Sequence, residues 1–156
     1  VQGAAFGGAV GLVSCCDIAI ASPHASFCLS EVKIGLIPAT ISPYVIAAIG
    51  SRAARRYFNT AETFTAATAM SLGLVSEVVD AEQLDSSINT LVDALLRNSP
   101  TALKASKQLI FDTAGREINT GLIQETSKRI AAIRVSPEGQ EGLSAFLEKR
   151  PAEWVQ

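Results

Sequence analysis

Strands are scarce in this sequence, and that scarcity limits its fold more than any other feature. Asp17-Ile-Ala-Ile-Ala21 alternates too little for a half-exposed strand and fits one buried on both faces. Ser26-Phe-Cys28 reads as a short second strand and residues 76–79 as a third, with Ser22-Pro23 making the turn between the first two. Strands this few and this short do not form an independently stable sheet unless helices or further strands cover them. Either the rest of the chain supplies that cover or more chain precedes Val1 in the intact fold.

The rest of the chain is helical in pattern. Gly3-Ala-Ala-Phe-Gly-Gly8 reads as a glycine-rich loop that enters a helix of small residues over 8–14. Ser30 is placed to cap a short helical turn carrying Glu31, broken by Gly35 and Pro38. Two helices, 43–49 and 51–59, are separated by Gly50. Thr65 is a cap and Gly73 a stop for the next helix. Asp80 with Gln83 suggests a capping box, opening a helix whose Leu84, Ile88, Leu91, Val92 and Leu95 form one apolar stripe. Ser99-Pro100 and Ser136-Pro137 each place a capping serine before a first-turn proline, so two more helices start there, with a long one over 117–135 between them. The class is α/β: a β-containing first third followed by helices.

A chain of 156 residues suits one ordinary domain. Thirteen basic against fifteen acidic residues give a net charge of -2, without the cationic surplus that nucleic-acid phosphates require, so nucleic acid is not expected as a partner. Charged residues make up 18 %, against roughly 25 % in a typical domain, while 48 % are apolar, which implies that part of the surface meets more protein. Asp17 and Ser42-Pro43 interrupt the longest apolar stretches below the roughly 18 residues of a membrane span, and residues 1–10 lack the basic start of a secretory signal. Cys15, Cys16 and Cys28 are odd in number and sit in apolar sequence, suggesting buried thiols in a reducing, cytoplasmic compartment. Adjacent cysteines on a strand point to opposite faces and His24 is the lone histidine, so no metal site is expected.

Taken singly, the residues that could carry chemistry are ambiguous. Gly7-Gly8 before a helix can bind phosphate, present an amide to an oxyanion, or simply allow tight packing. Glu31 in a first helical turn is stabilised by the helix dipole whether or not it has a catalytic duty. Cys15 and Cys16 have no base nearby in sequence and read as packing residues rather than nucleophiles.

Their order says more. Val1-Gln-Gly-Ala-Ala-Phe-Gly-Gly8, Cys16-Asp-Ile-Ala, Phe27-Cys-Leu-Ser-Glu31-Val-Lys-Ile-Gly-Leu-Ile-Pro38, Leu72-Gly-Leu-Val75 and Glu141-Gly-Leu-Ser-Ala-Phe-Leu-Glu-Lys-Arg150 follow one another at the spacing of the crotonase, or enoyl-CoA hydratase/isomerase, superfamily. The chain resembles the C-terminal part of such a protein along its whole length. That resemblance implies a partial ββα spiral lacking its N-terminal turns. Residues 1–64 would belong to the spiral core and residues 65–156 to a helical trimerisation region.

The resemblance also implies a chemistry. A thioester carbonyl gathers negative charge as its acyl group becomes an enolate, and two fixed N–H donors can stabilise that oxygen by several kcal/mol. Gly8 matches one donor; the other would lie outside this chain. Glu31 matches the carboxylate that moves a proton or orients water at the β-carbon. Gly7, Pro38 and Thr40 would line the acyl-CoA, with Thr40 and Ser42 available to hold water. Phe146 and Lys149 would contact coenzyme A from a neighbouring subunit, although the same residues also suit an amphipathic last helix with a basic end. One position departs from the pattern: where two-glutamate hydratases carry their second acid, one turn after Gly8, this sequence has Gly11. The implied activity is therefore single-carboxylate hydration of a short or branched 2-enoyl-CoA by a homotrimer or hexamer, with no cofactor beyond the substrate's coenzyme A. The stretch Ser30-Glu-Val-Lys-Ile-Gly-Leu-Ile-Pro-Ala-Thr-Ile-Ser-Pro-Tyr44 looks most like hydratases of 3-methylglutaconyl-CoA. An enoyl-CoA isomerase or a catalytically silent CoA-binding module are the alternatives.

Overall fold

The computed structural model describes residues 1–155, which form two compact units, Val1–Asn89 and the residues from Thr90 onward. The first holds all the β-structure. Strand β1 (Ala4–Phe6) leads into α1 (Gly8–Ser14), followed by β2 (Ile20–Ala21) and β3 (Ser26–Cys28). A 3₁₀ turn, Glu31–Ile34, precedes α2 (Ser42–Thr60), then β4 (Phe64–Thr65), α3 (Ala66–Ser71), β5 (Glu77–Val78) and the start of α4 (Leu84–Leu96). β3 is the central strand of a three-stranded sheet, parallel to β1 and antiparallel to β4, while β2 pairs in parallel with β5.

The glycine-rich pattern of residues 3–8 implies a loop; the structure makes Ala4–Phe6 a strand. Three residues rich in alanine carry no period, and what makes them β is the register Ala5↔Phe27 against a strand more than twenty positions away. Ala5 is buried in that pairing and Phe27 is fully buried. Phe27 and Phe64 stack at 5.5 Å between ring centroids, with Tyr57 4.3 Å from Phe64, and Val10, Leu29 and Val45 are fully buried beside them in the core. Helices α1, α2 and α3 thus cover the short sheet, as its size requires.

Local signals were followed unevenly. Gly50 breaks α2 with φ 76° and ψ 157°, and Gly73 ends α3 at φ 82°. Thr65 Oγ1 accepts from Thr68 N at 3.2 Å, Ser99 Oγ from Ala102 N at 3.0 Å and Ser136 Oγ from Gly139 N at 3.1 Å, so all three caps form. The capping box at Asp80 does not: residues Ala81–Gln83 make a 3₁₀ turn in which Gln83 N donates to the Asp80 backbone carbonyl at 2.9 Å, leaving the side chain without a capping bond. Ser30 likewise makes no side-chain cap, because Lys33 N donates to its carbonyl at 3.0 Å. The thiols also need correction. Cys28 is buried in the sheet, but Cys15 and Cys16 are exposed at the C-terminal end of α1, where the chain leaves the core.

The second unit is helical: the remainder of α4, then α5 (Pro100–Thr113), α6 (Thr120–Arg134) and α7 (Pro137–Glu148). Asn119 caps α6 through Leu122 N, starting it three residues later than the sequence pattern suggests. The Glu138 carboxylate clasps the N-terminus of α5, accepting from Ser99 Oγ, from Thr101 N at 3.0 Å and from Thr101 Oγ1 at 2.5 Å. Those bonds, Ser99's first, hold the Glu138 carboxyl below its ordinary range. After α7, Arg150 pairs bidentately with Glu141 at 2.7 and 2.8 Å, and Trp154 Nε1 donates to the Arg97 carbonyl at 3.2 Å. Among the described residues no helix is long and apolar enough to cross a membrane.

Candidate active site

Parallel pairing of β1 with β3 decides which loops meet. Phe6 stands opposite Cys28, so the residues after each strand, Gly7-Gly8 and Leu29-Ser30-Glu31, leave the sheet side by side. Gly7 N donates to the Cys28 carbonyl at 2.8 Å and ties the two exits together. Gly7 itself has φ 52° and ψ -121°, the first central position of a type II′ turn, which glycine takes cheaply and other residues at on the order of 1–3 kcal/mol. The turn points the chain straight into α1, whose first residue is Gly8. At that position the N–H has no acceptor four residues back within the helix, and Gly8 is exposed, with nothing within 4 Å of where a β-carbon would stand.

Glu31 sits against this turn. A β-carbon at Gly7 would lie 3.3 Å from Glu31 Oε1, so the absence of a side chain there lets the carboxylate approach. The second oxygen, Oε2, is buried and has no hydrogen-bond partner in the chain. A buried carboxylate oxygen without a partner is costly to folding, which marks Oε2 as a candidate ligand contact. The structure therefore brings Gly7, Gly8 and Glu31 together.

The neighbouring loop, residues 35–41, carries Pro38, which is buried, and Thr40, which is exposed. Ser42 Oγ donates to the Ala39 carbonyl at 2.9 Å, so its proton is already committed within the loop. Phe146 and Lys149 belong to the second unit. Phe146 is 79 % exposed near the end of α7, and Lys149 closes that helix in the left-handed conformation at φ 57°.

Ile41 escaped the sequence reading. A β-carbon at Gly11 would stand 2.2 Å from Ile41 Cγ2 and 2.7 Å from Ile41 Cβ, so the space beside Gly11 is filled and no second acid can project from that position. The available signal was a glycine inside a helical run, which costs about 1 kcal/mol relative to alanine and so points to close packing.

All of residues 1–156 match the family described as Enoyl-CoA hydratase/isomerase. The 2,3-dehydroadipyl-CoA hydratase of Escherichia coli strain K12 is 32 % identical over 151 residues, 96 % of this chain and 59 % of that protein. The short-chain-enoyl-CoA hydratase of Clostridium acetobutylicum is 31 % identical over 154 residues, 98 % of this chain and 59 % of that protein. The crystal structure of an enoyl-CoA hydratase from Shewanella pealeana superposes with a TM-score of 0.94 at 55 % identity, covering 99 % of this chain and 57 % of that one. The chain spans about three fifths of the length of the curated relatives it matches.

Proposed function

The chain belongs to the enoyl-CoA hydratase/isomerase family, the crotonase superfamily, and carries part of its α/β fold; from that premise we propose that the whole protein, at its relatives' length, adds water to a short or branched 2-enoyl-CoA. The observation that carries this reading is the Glu31 carboxylate lodged against Gly7, beside the exposed Gly8 at the start of α1, with one oxygen buried and unpartnered. The thioester oxygen accepts from Gly8 N–H and from a second donor outside this chain. As water adds at the β-carbon, the negative charge moves to that oxygen, where prearranged donors stabilise it. Glu31 takes the proton from the attacking water and returns one to the α-carbon, leaving a 3-hydroxyacyl-CoA with atoms and charge balanced. No cofactor beyond the substrate's coenzyme A enters this scheme. The resemblance of residues 30–44, with Pro38 and Thr40, to hydratases of 3-methylglutaconyl-CoA points to a branched, carboxylated substrate, while Phe146 and Lys149 are assigned to coenzyme A bound by a neighbouring subunit.

The test is a conjugated 2-enoyl-CoA supplied to the whole protein in ¹⁸O-labelled water. Loss of enoyl absorbance with label in the product is the expected result. A shifted double bond without label means isomerisation, the second reading, which the single carboxylate serves equally well. Neither change leaves only a CoA-binding module and defeats the proposal.

Assembly belongs to the same proposal. Ile110, Phe111, Ile118, Ile130, Phe146 and Leu147 are between 65 % and 83 % exposed, more apolar surface than a small monomeric helical unit sustains. Closed symmetry is the usual cover, and a trimer or a dimer of trimers is expected. Sedimentation of the whole protein as a monomer at micromolar concentration would contradict it.

A further inference from the structure

Two glycines one turn apart, Gly7 and Gly11, leave two notches in the side of α1 and the turn before it. The first is occupied by the Glu31 carboxylate and the second by the Ile41 side chain. Among the glycines of the first unit, only at Gly7 and Gly11 would a β-carbon meet another residue's side chain within 4 Å. Residues 31 and 41 are the two ends of one loop. Between them the hydrogen bonds are local: Leu36 N to the Glu31 carbonyl at 3.0 Å, Ala39 N to the Ile37 carbonyl at 2.8 Å and Ser42 N to the Ala39 carbonyl at 3.3 Å. Pro38 is the only buried residue from 32 to 40. Besides Pro38 and the two inserted ends, the 3₁₀ turn at the start of this segment lies against α2, the helix whose N-cap is Ile41.

We propose that Ile41 is a positioning residue for Glu31: its β-branch, keyed into the notch at Gly11, fixes the far end of the loop and so holds the carboxylate against Gly7. The shape of isoleucine matters here. Its Cγ2 is the atom nearest the notch, and the β-branched side chain is stiff about χ1, so it makes a rigid key. Ile41 also stands at the N-cap of α2, and a displaced key would move the helix start and the loop together. A misplacement of about 1 Å at a reacting group costs about 10²-fold in rate. The inference rests on Glu31 being the proton-handling group.

The test exploits the branch. I41V keeps the methyl in the notch and is expected to hold kcat within about threefold of the unsubstituted protein. I41L has the same number of carbons but no β-branch, and it is expected to lower kcat by about 10²-fold with KM nearly unchanged. G11A drives Ile41 out and should match I41L. The double variant G11A/I41G removes the four side-chain carbons of Ile41 and fills the notch with one methyl from the Gly11 side, at an N-cap where glycine is tolerated, and should recover part of the kcat lost in G11A. Equal rates for I41L and the unsubstituted protein, or equal losses for I41V and I41L, overturn the proposal. The ¹³C resonance of the Glu31 carboxyl gives a readout independent of turnover: it is expected to move in I41L and stay in I41V. If the unsubstituted protein neither hydrates nor isomerises, the functional reading fails on its own. The resonance then decides whether the key exists.

Discussion

Replacing Glu31 by glutamine is expected to lower kcat of the whole protein by about 10²- to 10⁴-fold with little change in KM, the range that general acid–base catalysis contributes. Glutamine matches glutamate in shape and still fits against Gly7, where Oε1 lies 3.3 Å from the position of a β-carbon. The acyl-CoA should therefore bind as before. What is lost is a group able to take a proton from water and return it, and with Ile41 filling the space beside Gly11 no second carboxylate can take over from that helix. A loss in kcat and kcat/KM together identifies an interaction made in the transition state. Thermal unfolding provides the control. Glu31 Oε2 is buried without a partner, and a neutral amide is cheaper to bury than a carboxylate, so E31Q is expected to unfold at the same temperature or higher. A variant keeping half of the original kcat would remove Glu31 from the mechanism.

The parts of this fold legible in the sequence are those governed by local chemistry. Ser99 and Ser136 cap where a serine before proline says they must, Thr65 caps α3, and Gly50 divides α2. Each of these depends on residues within a few positions. Where two local solutions compete, the sequence misleads: at Asp80 and Ser30 the backbone carbonyl takes the bond that the side chain was expected to accept, because a 3₁₀ turn closes three residues on. Strand β1 was illegible for a different reason, since Ala4, Ala5 and Phe6 become β only by pairing with residues 26–28. The exposure of Cys15 and Cys16 follows from where α1 ends, which no property of a cysteine reveals.

The site divides in the same way. Resemblance identified Gly8 and Glu31 as residues, yet their adjacency is a long-range consequence of the parallel register that sets Phe6 beside Cys28. Sequence spacing of more than twenty residues carries no such information. Ile41 illustrates the limit from the other side: one glycine within a helical run signals a close approach, but the approaching partner is thirty residues away and is fixed by tertiary packing alone.

The 156-residue chain by itself is expected to hydrate an enoyl-CoA at a rate at least about 10²- to 10³-fold below that of the whole protein, the cost of losing one oxyanion donor. An oxyanion hole works through converging donors, and in the family resemblance only the Gly8 amide falls within these residues. The chain spans 59 % of the length of the two hydratases named above, and the family resemblance implies that further walls orienting the acyl group against Glu31 come from the rest of such a protein. Positioning of reactants contributes more to rate than any single hydrogen bond, as effective molarities of about 10⁵ M and above attest, so the true deficit should exceed the donor's share. Glu31 would still be present, buried and unpartnered at Oε2, but a base without a held thioester has nothing to act on. The measurement is absorbance loss of a conjugated enoyl-CoA at matched molar amounts of the 156-residue chain and the whole protein, with circular dichroism to establish that the shorter chain is folded. Comparable rates would mean that residues 1–156 hold a complete oxyanion site, with the second donor to be sought among their own amides.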